Sequence, residues 1–264
     1  MGVSFALVAS ATGKASGSRQ GLEMDASALA VLVPISVIGG FLRGFAGFGG
    51  PLFMLPILNG YFSPAVSIAV MMWVDIFSNV HLLPEARRHS SREVVMPMTI
   101  GTLIGMPIGT YLLLQADPVL MKRVISATIL VAALILLTGW RYPRPLGPRT
   151  LGGVGGFSGL VMGATAIAAV TPVFLAASSH SAAQNRANFI IWVFFATVLL
   201  IALLMLNGTL GTGDAATISV LTPAYLLGTV FGSRTQRGAS DVVVRRAVLL
   251  LVVGVATFGL LQTI

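Results

Sequence analysis

Hydrophobic and polar positions along this chain do not alternate. They fall into long apolar runs separated by short clusters of charge, proline and glycine. Continuous apolar runs predict helices buried on all sides, because a membrane barrel would instead alternate within segments of about ten residues. The runs are Ser27 to Phe48, Pro64 to Leu83, Val94 to Leu114, Val124 to Trp140, Leu151 to Ala177, Ala187 to Leu206, Ile218 to Gly232 and Ala247 to Leu261. Two of them share an unusual punctuation: Gly44-Phe45-Ala46-Gly47 ahead of Phe48-Gly49-Gly50-Pro51, and Gly156-Phe157-Ser158-Gly159 ahead of Gly163, Thr165 and Pro172. Glycine and proline at membrane depth predict an interrupted helix, which is tolerated only where protein or a water-filled cavity takes up the freed backbone groups.

The repetition extends beyond the glycines. Asp117 to Arg123 and the apolar run after it match Ser240 to Arg246 and the final run at an offset of 123, and Gly105-Met106-Pro107-Ile108-Gly109 falls on Gly228-Thr229-Val230-Phe231-Gly232 at the same offset. The two glycine motifs pair at 112. The chain therefore reads as a flexible tail over residues 1–25, a first transmembrane repeat over 26–140, a linker over 141–150 and a second repeat over 151–264. The linker holds three prolines and three arginines, which stop a helix and resist burial in lipid.

Composition agrees: 56% of the 264 residues are hydrophobic and 9% charged, against about a quarter charged in soluble domains. The expectation is an all-α polytopic membrane protein of about eight apolar segments, in two repeated halves with glycine-broken first segments. The net charge of +8 reads as arginines anchoring cytoplasmic loops, with no nucleic-acid partner implied. If each broken segment enters the membrane and returns, eleven of the sixteen lysines and arginines share one face and four the other, with Arg43 inside. A single crossing by each leaves the two faces nearly even. The positive-inside bias thus predicts hairpins, two halves of inverted orientation, and both termini outside the cytoplasm.

Candidate chemistry is concentrated in few residues. Asp75 is the one acidic residue within a run, on a face shared with Ser67, Met71, Ser78 and Asn79 at helical spacing. An ionised carboxylate there costs several kcal/mol unless paired, protonated or wet, so Asp75 reads either as a proton-coupling group or as half of a helix-tying salt bridge. Arg43 keeps its charge at any accessible pH and must meet a carboxylate, a cavity or an anion. With Asp75 it forms either a structural pair or an anion clamp whose counter-ion the substrate displaces. Gly47, Phe48, Gly49 and Gly50 precede or open a short helix with Pro51 in its first turn, a start whose free N–H groups attract anions. In the second half Ser181, Asn185, Asn188 and Trp192 share a face, with Arg186 beside them as a ligand or an interfacial anchor.

Other chemistries find little support. Cysteine is absent, and neither a metal nor a cofactor is called for. Gly156-Phe157-Ser158-Gly159 fits the Gly-x-Ser-Gly pattern of intramembrane serine proteases, but His81, His89 and His180 lie at segment ends or in loops, away from Ser158.

The stretch Gly39-Gly40-Phe41-Leu42-Arg43-Gly44-Phe45-Ala46-Gly47-Phe48-Gly49-Gly50-Pro51, with Pro56, and the stretch Gly152-Gly153-Val154-Gly155-Gly156-Phe157-Ser158-Gly159 resemble the glycine-rich starts of the two halves in the TauE/SafE family of sulfite exporters. The resemblance covers nearly all of residues 26–264; the second motif departs from it in lacking a glycine pair and carrying Ala164 and Thr165. It implies a secondary transporter in the bacterial inner membrane for a small anion, such as sulfite or an organosulfonate like sulfoacetate. Arg43 and the backbone of Gly47 to Gly50 would hold the anion, Asp75 and Asn79 would line the path with Asp75 open to proton coupling, and Asn185, Arg186, Asn188 and Trp192 would complete the site. The alternatives are a channel-like anion pore, a carboxylate permease and an intramembrane enzyme. Direction of transport and oligomeric state, a homodimer included, are not legible in the sequence.

Overall fold

The computed structural model describes residues 26–46, 49–138, 147–168, 170–175, 180–210, 212–235, 253–254 and 257. Among these the chain is helical throughout: α1 Ala26–Ala46, α2 Gly49–Tyr61, α3 Pro64–His89, α4 Arg92–Gln115, α5 Pro118–Thr138, α6 Pro148–Thr165, α7 Val170–Leu175, α8 Ala182–Leu206 and α9 Thr212–Thr235. Local signals set the starts. Ser63 precedes Pro64 and Gly147 precedes Pro148, each proline entering where its missing N–H is harmless. Asp117 Oδ1 accepts from the Val119 and Leu120 N–H groups at 2.9 Å, and Ser181 Oγ from Gln184 N–H at 3.2 Å.

Six helices, α1, α3, α4, α5, α8 and α9, are long and apolar enough to cross a membrane. The expected segments mostly lie within helices that run longer than predicted: Lys122 and Arg123 fall in the second turn of α5 and Arg149 in the first turn of α6, rather than in loops or the linker. Most of the last expected run, Ala247 to Leu261, lies outside the described residues. The expected short helix after the first glycine motif is present as α2, whose 13 residues extend about 20 Å, too little for a span. It runs back along α1. A β-carbon at Gly39 would meet Met54 Cγ at 2.7 Å, one at Gly49 would meet Leu42 Cβ at 3.1 Å, and one at Gly50 Arg43 Cβ at 3.2 Å. The contacts run from Leu42 and Arg43 against Gly49 and Gly50 out to Gly39 against Met54, so away from the turn α2 lies antiparallel to α1.

The second motif does not break its helix. Gly156 to Gly159 lie inside continuous α6, which ends at Ala166 in the left-handed region with φ of 58°. These glycines allow close contact, because in lipid helices associate through packing that small residues permit. A side chain at Gly101, Gly105 or Gly109 on α4 would strike the backbone of α6, and one at Gly228 or Gly232 on α9 would strike the backbone of α1. The converse contacts follow the same pattern: Gly40 and Gly44 abut Tyr225 and Thr229, while Gly159 and Gly163 abut Thr102 and Met106. Aligned by these contacts, Gly40 and Gly44 fall on Gly159 and Gly163, an offset of 119 where the motif alignment gave 112. α1 packs on α9 and α4 on α6, and α3 and α8 meet between the two pairs.

Apolar residues fill the interior around α2, α3 and α8, with Leu52, Met54, Leu55, Met71 and Trp192 all buried. Large apolar side chains also point outward along α4, Ile104 being 68% and Ile100 58% exposed, as expected of a lipid-facing helix.

Candidate functional site

Arg43 is 1% exposed near the end of α1. Its Nε donates to Asp75 Oδ1 at 2.9 Å and its Nη2 donates to Asn79 Oδ1. Asn79 sits one turn after Asp75 on α3, so its amide also reaches back to donate to Asp75 Oδ2 at 3.0 Å. From α9, Tyr225 OH donates to Asp75 Oδ1 at 2.8 Å; from α8, Thr197 Oγ1 accepts from Asn79 Nδ2 at 3.4 Å. One turn toward the α3 C-terminus, Ser78 and Thr229 hydroxyls pair at 3.0 Å. The network joins α1, α3, α8 and α9, drawing on both halves, and its members are buried: Asp75 is 3% exposed, and Asn79, Thr197 and Tyr225 are all 0%.

The chemistry is that of an oxyanion cradle. A guanidinium, a phenol and an amide converge on one carboxylate, and such charge-assisted bonds are about twice as strong as neutral ones. The Gly50 backbone, in the first turn of α2, closes on this group: a β-carbon there would strike the Tyr225 hydroxyl. Gly49 lies against Leu42 instead. Gly47 and Phe48 lie outside the described residues.

The corresponding place in the other half is uncharged. Aligned by those contacts, Met162 falls on Arg43 and Thr102 on Tyr225, and there Trp192 donates from Nε1 to Thr102 Oγ1 at 2.9 Å, so that Thr102 accepts where Tyr225 donates. Trp192 therefore belongs to this second cluster and is not bonded to Arg43. Asn188, also expected at the central site, accepts the Ser91 N–H on Oδ1 at 2.6 Å and so serves the start of α4, while its buried Nδ2 has no partner. Asn185 donates to the His180 carbonyl at 3.3 Å. Arg186 lines a separate cavity of about 830 Å³ among the ends of α3, α8 and α9.

Of the expected residues, then, the structure brings together Arg43, Asp75, Asn79 and Gly50, and sends Asn185, Arg186, Asn188 and Trp192 elsewhere. Tyr225, Thr197 and Thr229 were not anticipated. A signal for two of them existed: Tyr225 and Thr229 lie on the face of α9 marked by Gly228 and Gly232, the face that the repeat aligns with Gly105 and Gly109.

The family model described as Sulfite exporter TauE/SafE matches residues 4–258. No curated protein and no solved structure matches the chain.

Proposed function

We infer the function from one premise: the chain belongs to the TauE/SafE family, a family of multi-pass membrane transporters. On our reading it is a bacterial inner-membrane carrier for a small oxyanion, sulfite or an organosulfonate such as sulfoacetate. The observation that carries the reading is the buried cation: Arg43 is fully enclosed, yet its neutralising partner is a carboxylate held by the same donors that an incoming oxyanion needs.

In this account Asp75 is a tethered stand-in for substrate. The anion enters as Asp75 swings away or takes a proton, so the site never holds an unpaired buried charge, a state that would cost several kcal/mol. With a proton on Asp75 the loaded site has the same net charge as the empty one, which suits uptake against an inside-negative potential. Without it, exit is favoured by about 2.3 kcal/mol per charge per 100 mV. The antiparallel α1–α2 pair and the reciprocal packing of the halves support a re-entrant first segment and an inverted repeat, an arrangement that permits alternating access.

A second reading has its own observation. The ion pair and its hydrogen bonds are complete as they stand, so the group also fits a keystone that ties four helices and touches no substrate. Uptake of radiolabelled sulfite, sulfonates and carboxylates into proteoliposomes separates the two. A carrier gives saturable uptake with counterflow that depends on Arg43, a pore gives no counterflow, and a keystone leaves transport in any folded Arg43 variant.

A further inference from the structure

The 830 Å³ cavity lies outside the Arg43 network and close to it. It is walled by the C-terminal turns of α3 and α9 and the first turns of α8. On α3 the cavity begins at His81, two residues after Asn79; on α9 it begins at Val230, one residue after Thr229. Three of the four helices that carry the network, α3, α8 and α9, therefore also wall the cavity. A small apolar cluster lines part of the cavity, and its buried members Leu82 and Ile190, 6% and 5% exposed, lie toward the network in sequence, Leu82 three residues after Asn79 on α3 and Ile190 seven before Thr197 on α8. Among the described residues the charged groups facing this space are Glu85 on α3, Arg186 on α8 and Arg234 on α9, joined by His81 and His89 on α3. With the histidines neutral the lining is cationic by one charge.

We propose that this cavity is an anion antechamber: Arg186 and Arg234 concentrate a small oxyanion at the arginine-rich face of the bundle, and Leu82 and Ile190 form the apolar floor separating it from the Arg43 site. A wet, low-dielectric recess focuses the field of its lining charges and raises the local concentration of the opposite sign. The recess lies at the end of α3 that carries Arg87 and Arg88, the face the positive-inside bias assigns to the cytoplasm. The described conformation would thus load from inside the cell. The purpose of the antechamber rests on the anion-transport reading; its charge does not.

The chain has no cysteine, so a single introduced thiol reports on the cavity without background. Ser233→Cys, or Ala183→Cys should the first not fold, places a thiol in the lining, and Asn207→Cys at the far end of α8 serves as an exposed reference. Purified protein is treated with two thiosulfonate reagents, one bearing a sulfonate and one a trimethylammonium group. The expected anionic-to-cationic rate ratio in the cavity is about tenfold above that at the reference, and Arg186→Gln with Arg234→Gln brings it to within about twofold. A ratio no higher than at Asn207→Cys overturns the proposal, whatever the protein transports. In proteoliposomes the double glutamine variant should raise KM for isethionate several-fold at low salt, a difference that closes at high salt. An unchanged KM at low salt overturns the recruiting role. Wild-type protein that moves no anion while keeping the high ratio would instead refute the transport reading alone.

Discussion

Asp75→Asn is the most informative single change, because it keeps shape and removes one charge. In the native arrangement Asp75 Oδ1 takes bonds from Arg43 and Tyr225, and Oδ2 takes one from the Asn79 amide. An asparagine preserving the first two bonds turns an NH₂ group toward the Asn79 NH₂. Asn79 cannot rotate to accept it without losing the bond its own Oδ1 receives from Arg43. The variant therefore loses a hydrogen bond and strands the Arg43 charge, an expected loss of about 3–5 kcal/mol, the usual cost of halving a buried pair. The same change removes the competitor for the cradle. Sulfite or isethionate should then bind more tightly than to the native protein and restore stability, by about 2.7 kcal/mol at a hundredfold excess over Kd. Thermal unfolding of detergent-solubilised protein, with anion titrated against chloride at constant ionic strength, reads both effects. The account expects a lowered Tm that rises steeply with anion in Asp75→Asn and only weakly in the native protein. A lowered Tm with no anion response would leave the group as a keystone alone.

Further outcomes follow from the same contacts. Tyr225→Phe removes a hydroxyl donated to a buried carboxylate and should cost about 1.5–3 kcal/mol in unfolding measurements, and because it takes a donor from the cradle while leaving the Asp75 carboxylate in place, it should weaken the anion response, opposite to Asp75→Asn. Gly105→Ala places a β-carbon against the Gly156 carbonyl, forcing α4 and α6 apart; a loss of about 1–3 kcal/mol is expected by thermal melt, whereas Gly147→Ala, with nothing nearby, should be within error. Asn188→Ala orphans the Ser91 N–H at the start of α4 and should cost about 1 kcal/mol; unchanged KM for the transported anion is the result that assigns it a capping role and removes it from the substrate site.

The charged pair was legible because lipid makes it so: Arg43 and Asp75 stand out in apolar runs where an unpaired charge is expensive, and the helical spacing from Asp75 to Asn79 placed the third member on the same face. Tyr225 was harder to see. Tyrosine is unremarkable in an apolar helix, and its role depends on α9 of the second half packing against α1 of the first, which no local pattern specifies. The repeat register was ambiguous for a related reason. Glycines recur at helical spacing in both first segments, so the motif alignment and the alignment by the backbone contacts of Gly159 and Gly163 differ by about two turns. Asn188 and Trp192 share a helical face as expected, yet neighbouring helices claim their polar atoms for Ser91 and Thr102.

The central claim is that the buried guanidinium serves a negatively charged cargo, and the double variant Arg43→Met with Asp75→Asn tests it most directly. Methionine is the residue that the second half carries at the matching position, and removing both charges avoids an orphaned ion, so the fold should survive. Sulfite or isethionate uptake into proteoliposomes by this variant, with its Tm measured alongside, is the decisive measurement. The account predicts a folded protein with transport reduced to the level of empty vesicles; near-normal uptake by a folded double variant would contradict it.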